Sequence, residues 1–75
     1  MVTIYSADWC AYCHATKQYL DKKNVKYEER NIEKNPEYAT EAEELSGQSG
    51  IPVLDIDGKI IIGFNRPEID KALTQ

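Results

Sequence analysis

The two cysteines of the chain, Cys10 and Cys13, stand three positions apart and directly follow a short β-prone run. That run, Val2–Ser6, predicts a central strand that ends near Ser6. Residues 11–23 are mostly good helix formers, and their buried-type side chains recur at helical spacing. The pair is therefore expected at the turn where a strand passes into an amphipathic helix, so the fold must begin with a β–α unit.

A second strand and a second helix follow. Asn24 can end the first helix in the left-handed conformation, and residues 25–29 alternate apolar with polar side chains, which predicts an edge or half-covered strand. The run 35–37, Asn-Pro-Glu, offers an N-cap, a proline at the first helical position and a carboxylate at the positive end of the dipole. This helix is predicted to run to about Ser46 and to end at Gly47.

A hairpin and a short helix complete the pattern. Residues 52–56 and 59–62 are β-prone and enclose an Asp-Gly pair at 57–58, which is typical of a type I′ turn. An Arg-Pro-Glu run at 66–68 then starts a final helix. The buried side of that helix is predicted to carry Ile69, Ala72 and Leu73.

The resulting element order is βαβαββα, an α/β fold. The first two strands should be parallel through a right-handed crossover, and the late hairpin should complete a mixed four-stranded sheet with helices on both faces. This arrangement resembles the smallest thioredoxin-like fold. Residues 1–75 are expected to form a single domain, because two domains would each have too little apolar surface to cover themselves.

Composition narrows the range of partners and locations. The formal net charge is -4, which disfavours nucleic acids and anionic membranes, because a phosphate-binding surface needs clustered Lys and Arg. No apolar run approaches the ~20 residues of a membrane span, and no segment has the pattern of a signal peptide. We expect a cytoplasmic monomer, in whose reducing surroundings two cysteines serve redox chemistry or metal binding.

The position of the pair predicts different chemical roles for its two thiols. At the helix N-terminus, Cys10 would meet unpaired backbone N–H groups and the positive dipole end, which both favour the thiolate, so Cys10 is predicted to be the nucleophile. Cys13 lies one turn further and can attack the mixed disulfide that Cys10 forms, as the resolving thiol. A helix terminus contributes at most about 2 kcal/mol, and Asp8 could oppose ionisation, so only a moderately lowered pKa is expected for Cys10.

Three separated motifs resemble the glutaredoxin family over essentially the whole chain. They are Trp9-Cys10-Ala11-Tyr12-Cys13 before a helix, Gly50-Ile51-Pro52 at the third strand, and Ile62-Gly63-Phe64-Asn65 after the fourth. The chain is identified as a member of the dithiol CxxC glutaredoxin-like proteins of the thioredoxin superfamily. The resemblance implies a thiol–disulfide oxidoreductase that reduces protein disulfides or glutathione mixed disulfides, with no prosthetic group bound and with glutathione as reductant or substrate.

The resemblance also implies a substrate site around the pair. The Ile51-Pro52 bond would be cis, leaving the Ile51 backbone free to pair with an extended thiol substrate. Tyr12 takes the aromatic position that flanks bound glutathione, and Trp9 resembles the tryptophan that packs beside thioredoxin sites. The implied binding residues are Trp9, Tyr12, Ile51, Pro52, Gly63, Phe64 and Asn65.

The chain departs from the glutathione-binding pattern at two places. Ala7 stands where the family often has a lysine, while Phe64 and Arg66 replace a glycine and an acidic residue. Gln48, Arg66 and the N-terminus of the last helix could partly compensate for the missing lysine. Residues 63–68 are also similar to the Gly-Phe-Arg-Pro segment of glutaredoxin-like electron donors of ribonucleotide reductase, which take electrons from thioredoxin reductase. That alternative stays open.

A metal-binding module is the remaining alternative. Two thiolates and the imidazole of His14 fall short of the four ligands of a closed zinc site, so a metal or iron–sulfur cluster would have to bridge two chains or recruit glutathione.

The redox interpretation instead requires a disulfide-containing protein or glutathione as substrate. It also requires a reductase, either glutathione-linked or thioredoxin reductase.

Overall fold

The computed structural model describes residues 1–48 and 50–74, which form four strands and three helices in the predicted order. The strands are β1 (Val2–Ser6), β2 (Tyr27–Asn31), β3 (Val53–Ile56) and β4 (Lys59–Ile62), and the helices are α1 (Ala11–Lys22), α2 (Pro36–Ser46) and α3 (Arg66–Leu73). None of the helices in this part of the chain is long and apolar enough to span a membrane. The predicted βαβαββα order is confirmed.

The sheet is mixed, with the strand order β2-β1-β3-β4. β1 runs parallel to β2 and antiparallel to β3, and β4 returns antiparallel to β3. Asp57 and Gly58 join the last two strands with φ values of 50° and 92°. Positive φ at both central residues is the requirement of a type I′ turn, as the sequence predicted. β1 therefore lies at the centre of the sheet, and its C-terminal end leads directly to the cysteine pair.

Each face of the sheet packs against helices. Since successive strand residues point to opposite faces, Ile4 faces α1 and α3, whereas Tyr5 faces α2. One cluster contains Val2, Ile4, Leu20, Leu54, Ile56, Ile61, Ile69 and Ala72. The other contains Tyr5, Ala42 and Val53. The prediction of helices on both faces is confirmed.

The second strand was predicted two residues too early, at 25–29. The Val25 N–H bonds to the carbonyl oxygen of Leu20 over 3.0 Å, so Val25 still belongs to the turn that closes α1. Asn24 has φ 57° in that turn, which is the left-handed stop that the sequence predicted. Pairing with β1 begins only at Tyr27, opposite Val2.

Candidate active site

Cys10 is the N-cap of α1. Its backbone is extended, and its Sγ accepts a hydrogen bond from the backbone N–H of Cys13 over 3.1 Å. The two sulfurs are joined in a disulfide, with the Cα atoms 5.2 Å apart. An N-cap side chain satisfies a helix N–H that lacks an intrahelical partner, and a sulfur there gains a donor that favours its anionic form. The cap thus prepares Cys10 for ionisation.

Burial differs between the two cysteines. Cys10 is 6% exposed and Cys13 is 0% exposed. Both pack with Ala7, and Ile32 and Ile51 cover this small cluster. Solvent and substrate can therefore reach the pair only at Cys10, while Cys13 is accessible only through its partner sulfur.

The loop that precedes the pair is held by Asp8. The Asp8 carboxylate accepts a hydrogen bond from Asn31 Nδ2 at 2.9 Å, and its backbone N–H donates to Glu33 Oε1 at 2.8 Å. Its carbonyl oxygen lies 2.8 Å from His14 Nε2, where the imidazole N–H donates. The Asp8 carboxylate is thus bound to the end of β2, its backbone N–H is bound to the β2–α2 connection, and the exposed His14 anchors the same loop to α1.

A second network fixes the strand end beneath the pair. Ser6 Oγ donates to Glu29 Oε2 at 2.6 Å, and Lys17 Nζ lies 2.7 Å from the same oxygen. The hydrogen bond from Lys17 is the main cause of a lowered pKa for the Glu29 carboxyl, and the Ser6 hydroxyl adds to it. These contacts tie β1, β2 and α1 together at the point where the cysteine loop begins.

The Ile51-Pro52 peptide bond is cis, as the resemblance implied. Ile51 packs against the cysteine cluster, and the Pro52 carbonyl oxygen accepts a hydrogen bond from the Gly63 N–H over 2.8 Å. The start of β3 and the turn after β4 are thereby joined on the side of the molecule that carries the pair.

A groove of about 580 Å³ lies beside these segments, within the usual range of ligand pockets. Its described lining is Tyr12, Ile51, Pro52, Ile62, Gly63, Phe64, Asn65, Arg66 and Pro67. The groove thus gathers six of the seven predicted binding residues. Trp9 is outside this lining and is 69% exposed.

The described lining includes one of the two side chains that were predicted to compensate for the missing lysine. Arg66 belongs to the groove, whereas Gln48 does not. Ile62 and Pro67 were not among the predicted binding residues. Ile62 opens the motif 62–65 and Pro67 lies within the segment 63–68, so the resemblance singled out both stretches without assigning these two side chains to the site.

Phe64 is held in the groove by aromatic packing. Its ring meets the Tyr19 ring edge-on, with centroids 5.8 Å apart, and the Arg66 guanidinium lies 6.0 Å from its centroid. The Tyr19 hydroxyl donates to Asp70 at 2.6 Å, and Lys23 lies 3.0 Å from that carboxylate. The Tyr19 hydrogen bond, followed by that of Lys23, lowers the pKa of Asp70. Helices α1 and α3 thereby fix the wall of the groove.

Metal binding would have to use the cysteine pair. Among residues 1–48 and 50–74, no group of three or more His, Cys, Asp and Glu side chains is placed to hold a metal ion. The imidazole of His14 is directed to the Asp8 carbonyl. A metal held by Cys10 and Cys13 would therefore need ligands from beyond the described part of this chain.

Comparisons with known proteins agree with this geometry. The family model described as Glutaredoxin matches residues 2–61. An uncharacterized glutaredoxin-like 8.6 kDa protein in the rubredoxin operon of Clostridium pasteurianum is 45% identical over 73 residues, which cover 97% of each chain. The glutaredoxin-like protein NrdH of Lactococcus lactis subsp. lactis is 32% identical over 71 residues, covering 95% of this chain and 97% of that protein.

A solved structure shows the same fold. The glutaredoxin-like protein NrdH-redoxin from Escherichia coli superposes with a TM-score of 0.81 at 31% sequence identity, covering 93% of this chain and 91% of that one. That protein is described as having a thioredoxin-like activity profile. The thioredoxin-like fold predicted from the sequence is confirmed.

Proposed function

The chain belongs to the glutaredoxin family of thiol–disulfide oxidoreductases, and on that premise we propose that Cys10 attacks substrate disulfides and Cys13 resolves the mixed disulfide. The observation that supports these roles best is the 3.1 Å hydrogen bond from the Cys13 N–H to Cys10 Sγ. The difference in burial supports the same assignment, because only Cys10 meets solvent.

The catalytic cycle has two exchanges. The Cys10 thiolate attacks one sulfur of the substrate disulfide, forms a mixed disulfide and expels the other sulfur as a thiolate. Cys13, after losing its proton, attacks Cys10 Sγ and expels the second substrate thiolate, and the two thiol protons of the enzyme end on the products. The substrate is reduced by two electrons and the enzyme is left with the Cys10–Cys13 bond, which an external reductant reopens.

The groove is proposed to hold the substrate segment next to its disulfide. Ile51 touches both the cysteine cluster and the groove, so an extended chain that reaches Cys10 can pair with the Ile51 backbone. The proposed binding residues are Trp9, Tyr12, Ile51, Pro52, Gly63, Phe64 and Asn65. Trp9 would contact a protein partner outside the groove, since a large exposed aromatic side chain is typical of interfaces.

Two reductants are candidates for reopening the Cys10–Cys13 disulfide. Glutathione is the reductant or substrate that the family resemblance implies. Thioredoxin reductase is the second candidate, in a donor to ribonucleotide reductase, and two observations favour it. Ala7 is buried at 1% exposure and supplies no cation beside Cys10, and the similar NrdH-redoxin has a thioredoxin-like activity profile.

One experiment separates these candidates. The oxidised protein is incubated with NADPH and either glutathione plus glutathione reductase or thioredoxin reductase, and NADPH oxidation is followed with a disulfide peptide present. Rapid turnover with either system supports the oxidoreductase proposal and identifies the reductant. Failure with both, together with a visible absorption band after anaerobic purification, favours the metal-binding or iron–sulfur alternative.

The proposal also covers the domain organisation, oligomeric state, location and partners of the protein. We propose that residues 1–75 act as one domain and as a monomer in the cytoplasm, in electron transport and redox homeostasis, without nucleic-acid or membrane partners. The acidic net charge of -4 supports the absence of phosphate-rich partners. Size-exclusion chromatography with light scattering tests the monomer, for which a mass of 8.6 kDa is expected.

A further inference from the structure

Arg66 gives the groove beside the cysteine pair its positive charge. Among the described residues that line the groove, Arg66 alone is charged at neutral pH, and the others are apolar or neutral polar. Its side chain is exposed. No ion pair found within residues 1–48 and 50–74 uses its guanidinium. The charge is therefore available to a ligand in the groove.

Asp70, the acidic residue one turn along α3, forms no ion pair with Arg66, although the Arg66 charge contributes to the lowered pKa of Asp70. Asp70 accepts a hydrogen bond from the Tyr19 hydroxyl at 2.6 Å and pairs with Lys23 at 3.0 Å. These two contacts satisfy the Asp70 carboxylate from the α1 side. Glu68, the acid in the first turn of α3, does not line the groove. Within the described residues, neither Glu68 nor Asp70 therefore forms an ion pair with Arg66.

The guanidinium is also held in place. It lies over the Phe64 ring, 6.0 Å from the centroid, and Phe64 in turn packs edge-on against Tyr19. A cation over an aromatic face is attracted by the ring quadrupole. Arg66 therefore presents its charge from a fixed part of the groove wall, and less side-chain freedom is lost when a ligand binds.

We propose that Arg66 is a specificity residue that binds an acidic side chain on the substrate segment next to the disulfide. This proposal rests on the proposed function and names its substrate class: an extended protein segment with its cysteine at Cys10 and a Glu or Asp in the groove. Charge complementarity selects this occupant, because a groove whose one charged side chain among the described lining is a guanidinium matches a chain with one carboxylate. The net charge of -4 repels acidic partners at long range, so the preference arises from this contact.

The test uses two symmetric peptide disulfides with blocked termini. They are identical except that the residues flanking the cysteine are Glu in one and Gln in the other, so that side-chain carboxylates are the only difference. The reduced enzyme is mixed with each peptide, the reaction is quenched with acid, and the released peptide thiol is measured by chromatography. The rate ratio of the Glu peptide to the Gln peptide is compared between variants, which cancels differences in active fraction within each variant.

The variants form a charge series with a matched control. Arg66→Gln is expected to lower the ratio roughly three- to tenfold, the range between an exposed ion pair and a charge-assisted hydrogen bond. Arg66→Glu is expected to lower it further. Lys71→Gln removes a cation of the same helix that lies outside the groove, and it should leave the ratio within about twofold of the wild type.

Three results would overturn the proposal. They are an unchanged ratio in Arg66→Gln, a ratio in Arg66→Glu that is no lower than in Arg66→Gln, and an equal fall in Lys71→Gln. Failure of the proposed function itself looks different, because the wild type would then release no more thiol than Cys10→Ser from either peptide. A wild type that reduces both peptides with a ratio insensitive to Arg66 refutes the specificity proposal alone.

Discussion

The backbone N–H of Cys13 donates to Cys10 Sγ over 3.1 Å, so the helix turn that carries one cysteine also stabilises the sulfur of the other. The contact arises because Cys10 occupies the N-cap of α1. Asp8, the acid nearest in sequence, has its carboxylate bonded to Asn31. The local environment of Cys10 therefore favours a thiolate, through one hydrogen bond and a helix dipole.

This relationship predicts unequal reactivity of the two thiols. In the reduced protein at pH 7, iodoacetamide should modify Cys10 at least about tenfold faster than Cys13, because Cys10 has the amide donor and is the less buried member of the pair. Peptide mapping by mass spectrometry measures both rates. The pH midpoint for Cys10 modification should fall below the ordinary thiol value of about 8.5. Equal rates, or faster modification of Cys13, would contradict the assignment.

The packing of α3 predicts a difference between two isoleucines. Ile69 is 0% exposed in the cluster between α3 and the sheet, whereas Ile62 is 44% exposed. Ile69→Val should lower the free energy of unfolding by about 0.5–1.5 kcal/mol, and Ile62→Val by less than about 0.5 kcal/mol. Urea unfolding of both variants measures the difference. Equal losses would show that α3 does not pack as described.

The helix caps allow stability and substrate binding to be separated. Asn35 caps α2 through the Glu37 N–H at 3.1 Å, and Asn65 caps α3 through the Glu68 N–H at 3.4 Å. Each Asn→Ala variant should lose about 0.5–2 kcal/mol of stability. Only Asn65→Ala should also raise KM for a disulfide peptide, because Asn65 lines the groove. An equal rise in KM for Asn35→Ala would argue against a binding role for Asn65.

The Glu29 network predicts a pH-dependent loss of stability. Lys17 and Ser6 hold the pKa of Glu29 below its ordinary value of 4.5 in the folded protein. The stabilisation is therefore present above the unfolded-state pKa and disappears as the pH falls through the folded-state pKa. Glu29→Gln should lower the free energy of unfolding by about 0.2–1 kcal/mol at pH 7, as expected for an exposed pair.

The same substitution should cost progressively less as the pH drops below 4.5, because the wild-type carboxyl then becomes protonated as well. Urea unfolding at pH 7 and at lower pH values measures this change. Glu44→Gln, at an exposed site on α2, is the matched control and should have little effect at either pH. A loss in Glu29→Gln that stays constant with pH would exclude the ionised carboxylate as its cause.

Local signals were enough to predict most of the fold. Caps such as Asn35 and Gly47, and the Asp57–Gly58 turn, act over a few residues and can be recognised without tertiary contacts. The boundaries of β2 could not be predicted in this way. The strand continues through Glu29 and Arg30, polar residues held by long-range contacts such as the 2.7 Å pair of Arg30 with Glu41 on α2.

The functional site likewise has local features that could be predicted from the sequence and long-range contacts that could not. Sequence position alone placed Cys10 at a strand-to-helix turn, and the resemblance identified most of the groove. Arg66 was a candidate to compensate for the missing lysine, but the absence of an ion pair between Arg66 and Asp70 could not be predicted, because it depends on where Asp70 finds its partners. Tyr19 is 51 positions from Asp70 in the sequence, and no local pattern connects them.

The most direct test of the proposed roles is to trap the mixed disulfide. Reduced Cys13→Ser, incubated with a disulfide peptide, should accumulate a one-to-one adduct linked through Cys10, because the second exchange is blocked. Cys10→Ser should form no adduct above background and should show no peptide reduction. Intact-mass and peptide-mapping spectrometry identify the linkage. An adduct on Cys13 in Cys10→Ser, with none in Cys13→Ser, would contradict the assignment of Cys10 as the nucleophile.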